Sequence, residues 1–163
     1  MSQNDWSTWN PYGMKAKAWC EDIFEAAENG NIEDLKYFIG KKGVSVNSKK
    51  KAIAKDNVFT FIEHQYETDT PLHLAVDNGA NIEAVKYLIS QGADVNAKDF
   101  ERKTPLHRVV ASSIKSNTDI IKYLISKCVN VNTEDMYGRT PLDYAKTEDI
   151  KSILREAGGV NGR

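Results

Sequence analysis

Apolar residues recur at helical spacing in three separated stretches of the chain. Ile82, Val85, Leu88 and Ile89 share one face of a helix. A similar run returns at 119–125 and, more degenerate, at 31–39. A second pattern precedes the helix: Thr-Pro-Leu-His at 70–73 and again at 104–107, then Thr-Pro-Leu-Asp at 140–143, at offsets of 34 and 36. Thr at an N-cap accepts a free backbone N–H, and Pro at the first helical position loses no hydrogen bond. Each copy therefore predicts a short first helix, ending in its first full occurrence near Asn78-Gly79. A third pattern follows: Gly92-Ala93-Asp94-Val95-Asn96 stands twelve residues before Thr104, and Cys128-Val129-Asn130-Val131-Asn132 twelve before Thr140. The unit is two helices, an extended run and a polar turn. One helix pair cannot bury both its faces, so the copies must stack.

These motifs, in this order over residues 19–158, resemble the ankyrin repeat. The resemblance implies an all-α repeat solenoid of about four helix-turn-helix units, with β-hairpin fingers projecting from the stack. The expected organisation is an aromatic N-terminal segment (1–18), an N-capping unit (19–47), an inserted long hairpin (48–69), two full repeats (70–103 and 104–139), and a truncated C-capping unit with its tail (140–163). The insertion follows from arithmetic. Asn96 to Thr104 is 8 residues, but Asn47 to Thr70 is 23, so the first finger carries about 15 extra. Asp56-Asn57 supplies turn chemistry between Ile53 and the β-prone run at 58–62. Two or three further residues around 112–118 lengthen one interhelical turn. Arg108 stands where the family carries Leu. Cys128 replaces a helix-ending Gly, with strain if the left-handed turn is kept.

Composition narrows the chemistry. Of 163 residues, 22 are Lys or Arg and 23 Asp or Glu, for a net charge of -1, which argues against a whole-molecule electrostatic nucleic-acid binder. The charge is unevenly placed: residues 41–55 hold six Lys and no acid, between segments of -4 and -3. Those lysines either protect a long exposed edge strand from aggregation or form a patch for an anionic partner. No apolar run is long enough to span a membrane and no signal-peptide pattern opens the chain. With two cysteines a disulfide framework is excluded, so a reducing setting, cytoplasmic or inside a host cell, is expected. Seventeen Lys against five Arg, with 13 Ile and 13 Asn, points to an AT-rich genome such as those of intracellular bacteria.

Candidate catalytic groups reduce to structural ones. His73 and His107 read as turn-bonding residues of the repeat, and His64, near Glu63 and Glu67, as polar strand surface. Three His and two Cys match no metal spacing, and no phosphate loop or serine elbow is present. Cys20 and Cys128 read as buried or half-exposed small residues rather than reactive thiols. Trp6, Trp9, Tyr12 and Trp19 read as a lid on the first unit or as a binding motif. No catalytic residue, cofactor or metal is expected.

The expectation is a non-enzymatic scaffold that binds another protein. By position in the family, the concave surface comprises Tyr66, Glu67, Asp69, Asp77 and Asn78, then Phe100, Glu101, Lys103, Ala111 and Ser112, then Met136, Tyr137 and Arg139. Phe100, Met136 and Tyr137 are the expected anchors, with Glu134 and Asp135 setting orientation. The inserted finger adds Lys49, Lys50, Lys51, Lys55, Phe59 and Phe61. A monomer is expected. The alternatives are self-association through the long hairpin edge and, less favoured, binding of an anionic partner such as nucleic acid through the finger lysines.

Overall fold

The computed structural model describes residues 22–56, 62–77, 82–112 and 117–163, with side chains for all of these but 51–67 and 117. Eight α-helices lie among them. They are α1 Ile23–Glu28, α2 Ile32–Lys36, α3 Pro71–Asp77, α4 Ile82–Ser90, α5 Pro105–Ala111, α6 Asn117–Ser126, α7 Pro141–Tyr144 and α8 Glu148–Glu156. α2 runs on into a π-helical turn, Tyr37–Lys41. Consecutive helices pack as pairs, and the pairs stack: α1 on α3, α3 on α5 and α5 on α7 in one row, α2 on α4 and α4 on α6 in the other. This is an all-helical repeat fold.

The core lies between the rows. Leu72, Val85, Leu88, Leu106, Ile120, Ile121, Leu124 and Leu154 are all buried. Of the predicted stripe, Ile82 and Ile89 are only half-buried against this core, as expected at the margins of a two-row stack. The Thr-Pro-Leu-His element adds a polar joint between units. The Thr104 N–H donates to His107 Nδ1 at 3.1 Å, with the Thr104 hydroxyl 2.9 Å from the same nitrogen. An Nδ1 that accepts places the ring proton on Nε2, which donates to the Arg139 carbonyl at 3.2 Å. His73 makes the same joint to the Lys103 carbonyl at 3.1 Å. Each histidine thus ties its first helix to the last residue before the following unit's Thr-Pro.

The Val-Asn asparagines form a second ladder. Asn47 Oδ1 accepts from the Asp94 N–H, Asn96 Oδ1 from the Asn130 N–H and Asn132 Oδ1 from the Val160 N–H, each at 2.8 Å. The last helix pair closes on residues 158–163. Asp143, standing where the other copies have His, accepts from the Gly162 N–H at 2.8 Å and from the Asn161 side chain at 2.6 Å. Its neighbours offer donors where the other joints offer carbonyls, which explains the change of residue.

The loops differ from the expected fingers. Lys51–Asp56 (β1) and Ile62–Glu67 (β2) pair antiparallel, with Lys51 opposite Glu67 and Lys55 opposite Glu63. Among the described residues no other loop carries a strand pair. The loops at 99–103 and 135–139 are instead tight turns, closed by Asp99 N–H to the Lys103 carbonyl and Asp135 N–H to the Arg139 carbonyl. Cys128 is exposed, not buried or half-exposed. It occupies the left-handed helix end, at φ +59°, that Gly92 and Gly158 occupy elsewhere.

Candidate functional site

The face formed by the first helices and the loop turns is built from two repeated aspartates. Asp99 Oδ1 accepts from the Glu101 and Lys103 N–H groups at 2.9 and 2.8 Å. Asp135 Oδ1 accepts from Tyr137 and Arg139 at 2.8 and 3.0 Å, and its Oδ2 takes the Tyr144 hydroxyl at 2.6 Å. Both aspartates are buried. Burial opposes charge on Asp135, but the Tyr144 and backbone donors outweigh it and hold the carboxyl below its ordinary value. Tyr144 is raised in turn, by burial and by that same bond. A backbone bond from the Met136 N–H to the Glu101 carbonyl, 2.9 Å, joins the two turns side by side.

The turns present their apolar residues outward. Phe100, Met136 and Tyr137 are 62%, 53% and 54% exposed, large values for side chains of this type. Arg139 lies over the Tyr137 ring at 4.9 Å and the Tyr144 ring at 5.4 Å, with Lys103 over the same Tyr144 ring at 5.4 Å. Lys103 also pairs with Glu101 at 2.7 Å. Burial pulls its ammonium down, but the Glu101 bond outweighs burial and leaves it raised.

Behind the turns Arg108 gathers three carboxylates. Its Nη2 reaches Asp69 at 2.7 Å and Asp77 at 3.0 Å, and its Nη1 lies 3.8 Å from Asp99. Asp77 is the most open of the three, yet burial raises its carboxyl, with the neighbouring carboxylates adding to burial and Arg108 opposing it. A groove of about 290 Å³ opens here, lined by Asp77, Lys103, His107, Arg108, Ala111, Ser112 and Tyr144. His73 and His107 are buried, and desolvation lowers both. They are spent on the joints between units. Among the described residues no group of three or more His, Cys, Asp or Glu side chains is arranged to hold a metal ion.

The structure therefore brings Asp77, Lys103, Ala111 and Ser112 together around one groove, with Asp69 paired to Arg108 beside it, and places Phe100, Glu101, Met136, Tyr137 and Arg139 on the adjoining turns. Tyr66 and Glu67 lie in β2 and Lys51 and Lys55 in β1, placed by backbone register alone. Lys49 and Lys50 are exposed just before β1. Phe59, Phe61, Asn78, Cys20 and the aromatic residues of 1–18 and Trp19 fall outside the described residues. Sequence reasoning missed Asp99 and Tyr144 as site residues and treated Arg108 only as a packing exception. The signal for Asp99 was available: Asp99 and Asp135 each stand five residues before a Thr-Pro.

A three-copy family model of ankyrin repeats matches residues 23–112 and 72–158. The chain belongs to the ankyrin repeat family. It is 34% identical over 105 residues to an ankyrin repeat protein of Rickettsia bellii, covering 58% of this chain and 42% of that protein. It is similar to human Rabankyrin-5, at 34% over 92 residues, 56% of this chain and 8% of that protein. It is also similar to Alpha-latrocrustotoxin-Lt1a of Latrodectus tredecimguttatus, at 36% over 84 residues, 52% of this chain and 5% of the toxin. The chain thus spans less than half the length of each. Ankyrin repeats mediate protein–protein interaction, and the family is typically a non-enzymatic scaffold. Among the described residues, no helix of this ankyrin array is long and apolar enough to cross a membrane.

Proposed function

We propose that this ankyrin array is a docking scaffold for a protein partner, engaged by the groove and the adjoining turns. The observation that carries this reading is the exposure of Phe100, Met136 and Tyr137 on turns whose backbones are pinned by buried aspartates. Apolar anchors held on stiff supports lose little conformational freedom on binding. Glu134, Glu101 and Arg139 at the rim set orientation. The inserted finger, with Lys49, Lys50, Lys51, Lys55, Phe59 and Phe61, extends the surface. The AT-rich composition, together with the Rickettsia bellii relative, supports a host-interacting factor of an intracellular bacterium, working in a reducing compartment.

Self-association through β1 is the second reading. Centred on Ile53, an antiparallel pairing of two β1 strands would set Lys51 against Lys55 of the other copy, and like charges directly opposite are destabilising. Edge protection fits β1 better, which supports a monomer.

Affinity capture from lysate with the full chain tests the scaffold. The comparison variants carry Phe100→Ser, Met136→Ser and Tyr137→Ser together, or a short Gly/Ser turn in place of 49–66, each with its fold checked by circular dichroism. Loss of a captured protein with the triple variant supports docking at the turns, and loss with the finger replaced assigns recognition to the insert. A capture pattern that neither change alters sinks docking at the turns and the finger, and no captured protein at all sinks the scaffold reading.

A further inference from the structure

The cluster around Arg108 is short of positive charge. Four carboxylates, Asp69, Asp77, Asp99 and Glu101, share two cations, Lys103 and Arg108, in direct ion-pair contact. Lys103 is committed to Glu101, so Arg108 alone serves three aspartates. Its Nη2 is divided between Asp69 and Asp77. The consequence is visible at the third. The Asp99 side chain is entirely buried, and its Oδ2 has no hydrogen-bond partner, facing Arg108 Nη1 across 3.8 Å. Arg108 Nε is likewise buried without an acceptor. Buried polar atoms left unpaired are costly, and this pair of them, one donor and one acceptor, marks a guanidinium pulled in too many directions. The carboxylate drawing it outward is Asp77, which lines the groove and is the most exposed of the three.

The geometry points to a specific guest: a Lys or Arg side chain of a protein partner, seated in the groove with its cationic head on Asp77. This rests on the docking reading above and names the chemistry of the partner at its centre. The head gains a charge-assisted bond to a half-buried carboxylate. The aliphatic stem lies along Ala111 and the Tyr144 ring. With Asp77 neutralised from outside, Arg108 is free to settle on Asp99, closing the 3.8 Å gap. Guest binding and internal hydrogen bonding then reinforce one another, which gives preference for a basic segment over a neutral or acidic one.

A phage library of random dodecapeptides selected on the full chain at low salt tests this. Selected peptides should share a Lys or Arg. Replacing that residue by norleucine or citrulline should weaken binding, measured by fluorescence anisotropy, about tenfold or more. Asp77→Asn should cost the same factor, and the two changes together no more than either alone. Ser112→Arg, which sets a guanidinium at the groove rim, should produce the same loss through a variant independent of Asp77. Thermal melts establish that both variants fold. Selected peptides without a common cation, or a basic peptide indifferent to Asp77→Asn and Ser112→Arg, overturn the proposal. If such peptides are still lost on Phe100→Ser with Tyr137→Ser, docking at the turns stands and only the cation site fails. If they are not, or if no peptide is selected, both fail.

Discussion

Cys128 ends α6 in a backbone conformation that suits glycine. Its φ of +59° matches the helix ends at Gly92 and Gly158, and a side chain there meets the carbonyl crowding that makes left-handed backbone costly for L-residues. Its exposure means that little packing is lost on removal. Cys128→Gly should therefore stabilise the array by about 1 kcal/mol, net of the greater freedom Gly gives the unfolded chain. A rise of roughly 2–4 °C in a thermal melt is the expected reading; an unchanged or lower Tm would show the strain to be relieved elsewhere. This strain was legible, because the other copies carry Gly at the same step. The Arg108 cluster was not. Asp69, Asp77 and Asp99 lie up to 39 positions from Arg108, and only stacking of one unit on the next brings them together.

At the scale of elements, joints repeat more faithfully than helices do. The histidine and asparagine bonds recur from unit to unit, whereas α7 has shrunk to four residues and α2 widens at its end into a π turn. The Thr-Pro-Leu-His spacing made the first helices and their starts legible. The tight turns were not legible as such, because family resemblance suggested strand pairs where two aspartates supply a shorter closure. Asp143 shows how closely a joint is matched to what it meets. It accepts from Thr140, Asn161 and Gly162, all donors. In Asp143→His the ring nitrogen can still accept from Thr140, but its second nitrogen would present a proton to the donors of 161 and 162. The expected cost is about 1–2 kcal/mol, with loss of hydrogen-exchange protection at Gly162. Protection retained at Gly162 in a folded variant would refute this pairing.

The whole molecule behaves as a line of units held by these joints, so conditions that break the joints act on it all at once. His73 and His107 are the parts that respond to pH. Burial holds both below the ordinary value of 6.5, and each accepts a backbone N–H at Nδ1, which protonation would replace with a clash of donors. The unfolded chain therefore binds protons first as the solution is acidified. Their contribution to stability is complete above pH 6.5 and declines as pH falls through that value toward the lower values of the folded state. Asp135 and Asp143 are also lowered, burial being outweighed by the donors they face, so they add a second decline below 3.8. Asp77, raised mainly by burial, acts in the opposite direction: its ionisation costs stability as pH rises above 3.8. Tm should stay level from pH 8 to 7 and fall between pH 6.5 and 5. In a variant carrying His73→Gln and His107→Gln the starting Tm is lower, because two joints are weakened, but the fall over that interval largely disappears. An equal fall in both proteins would place the acid-sensitive groups outside the joints.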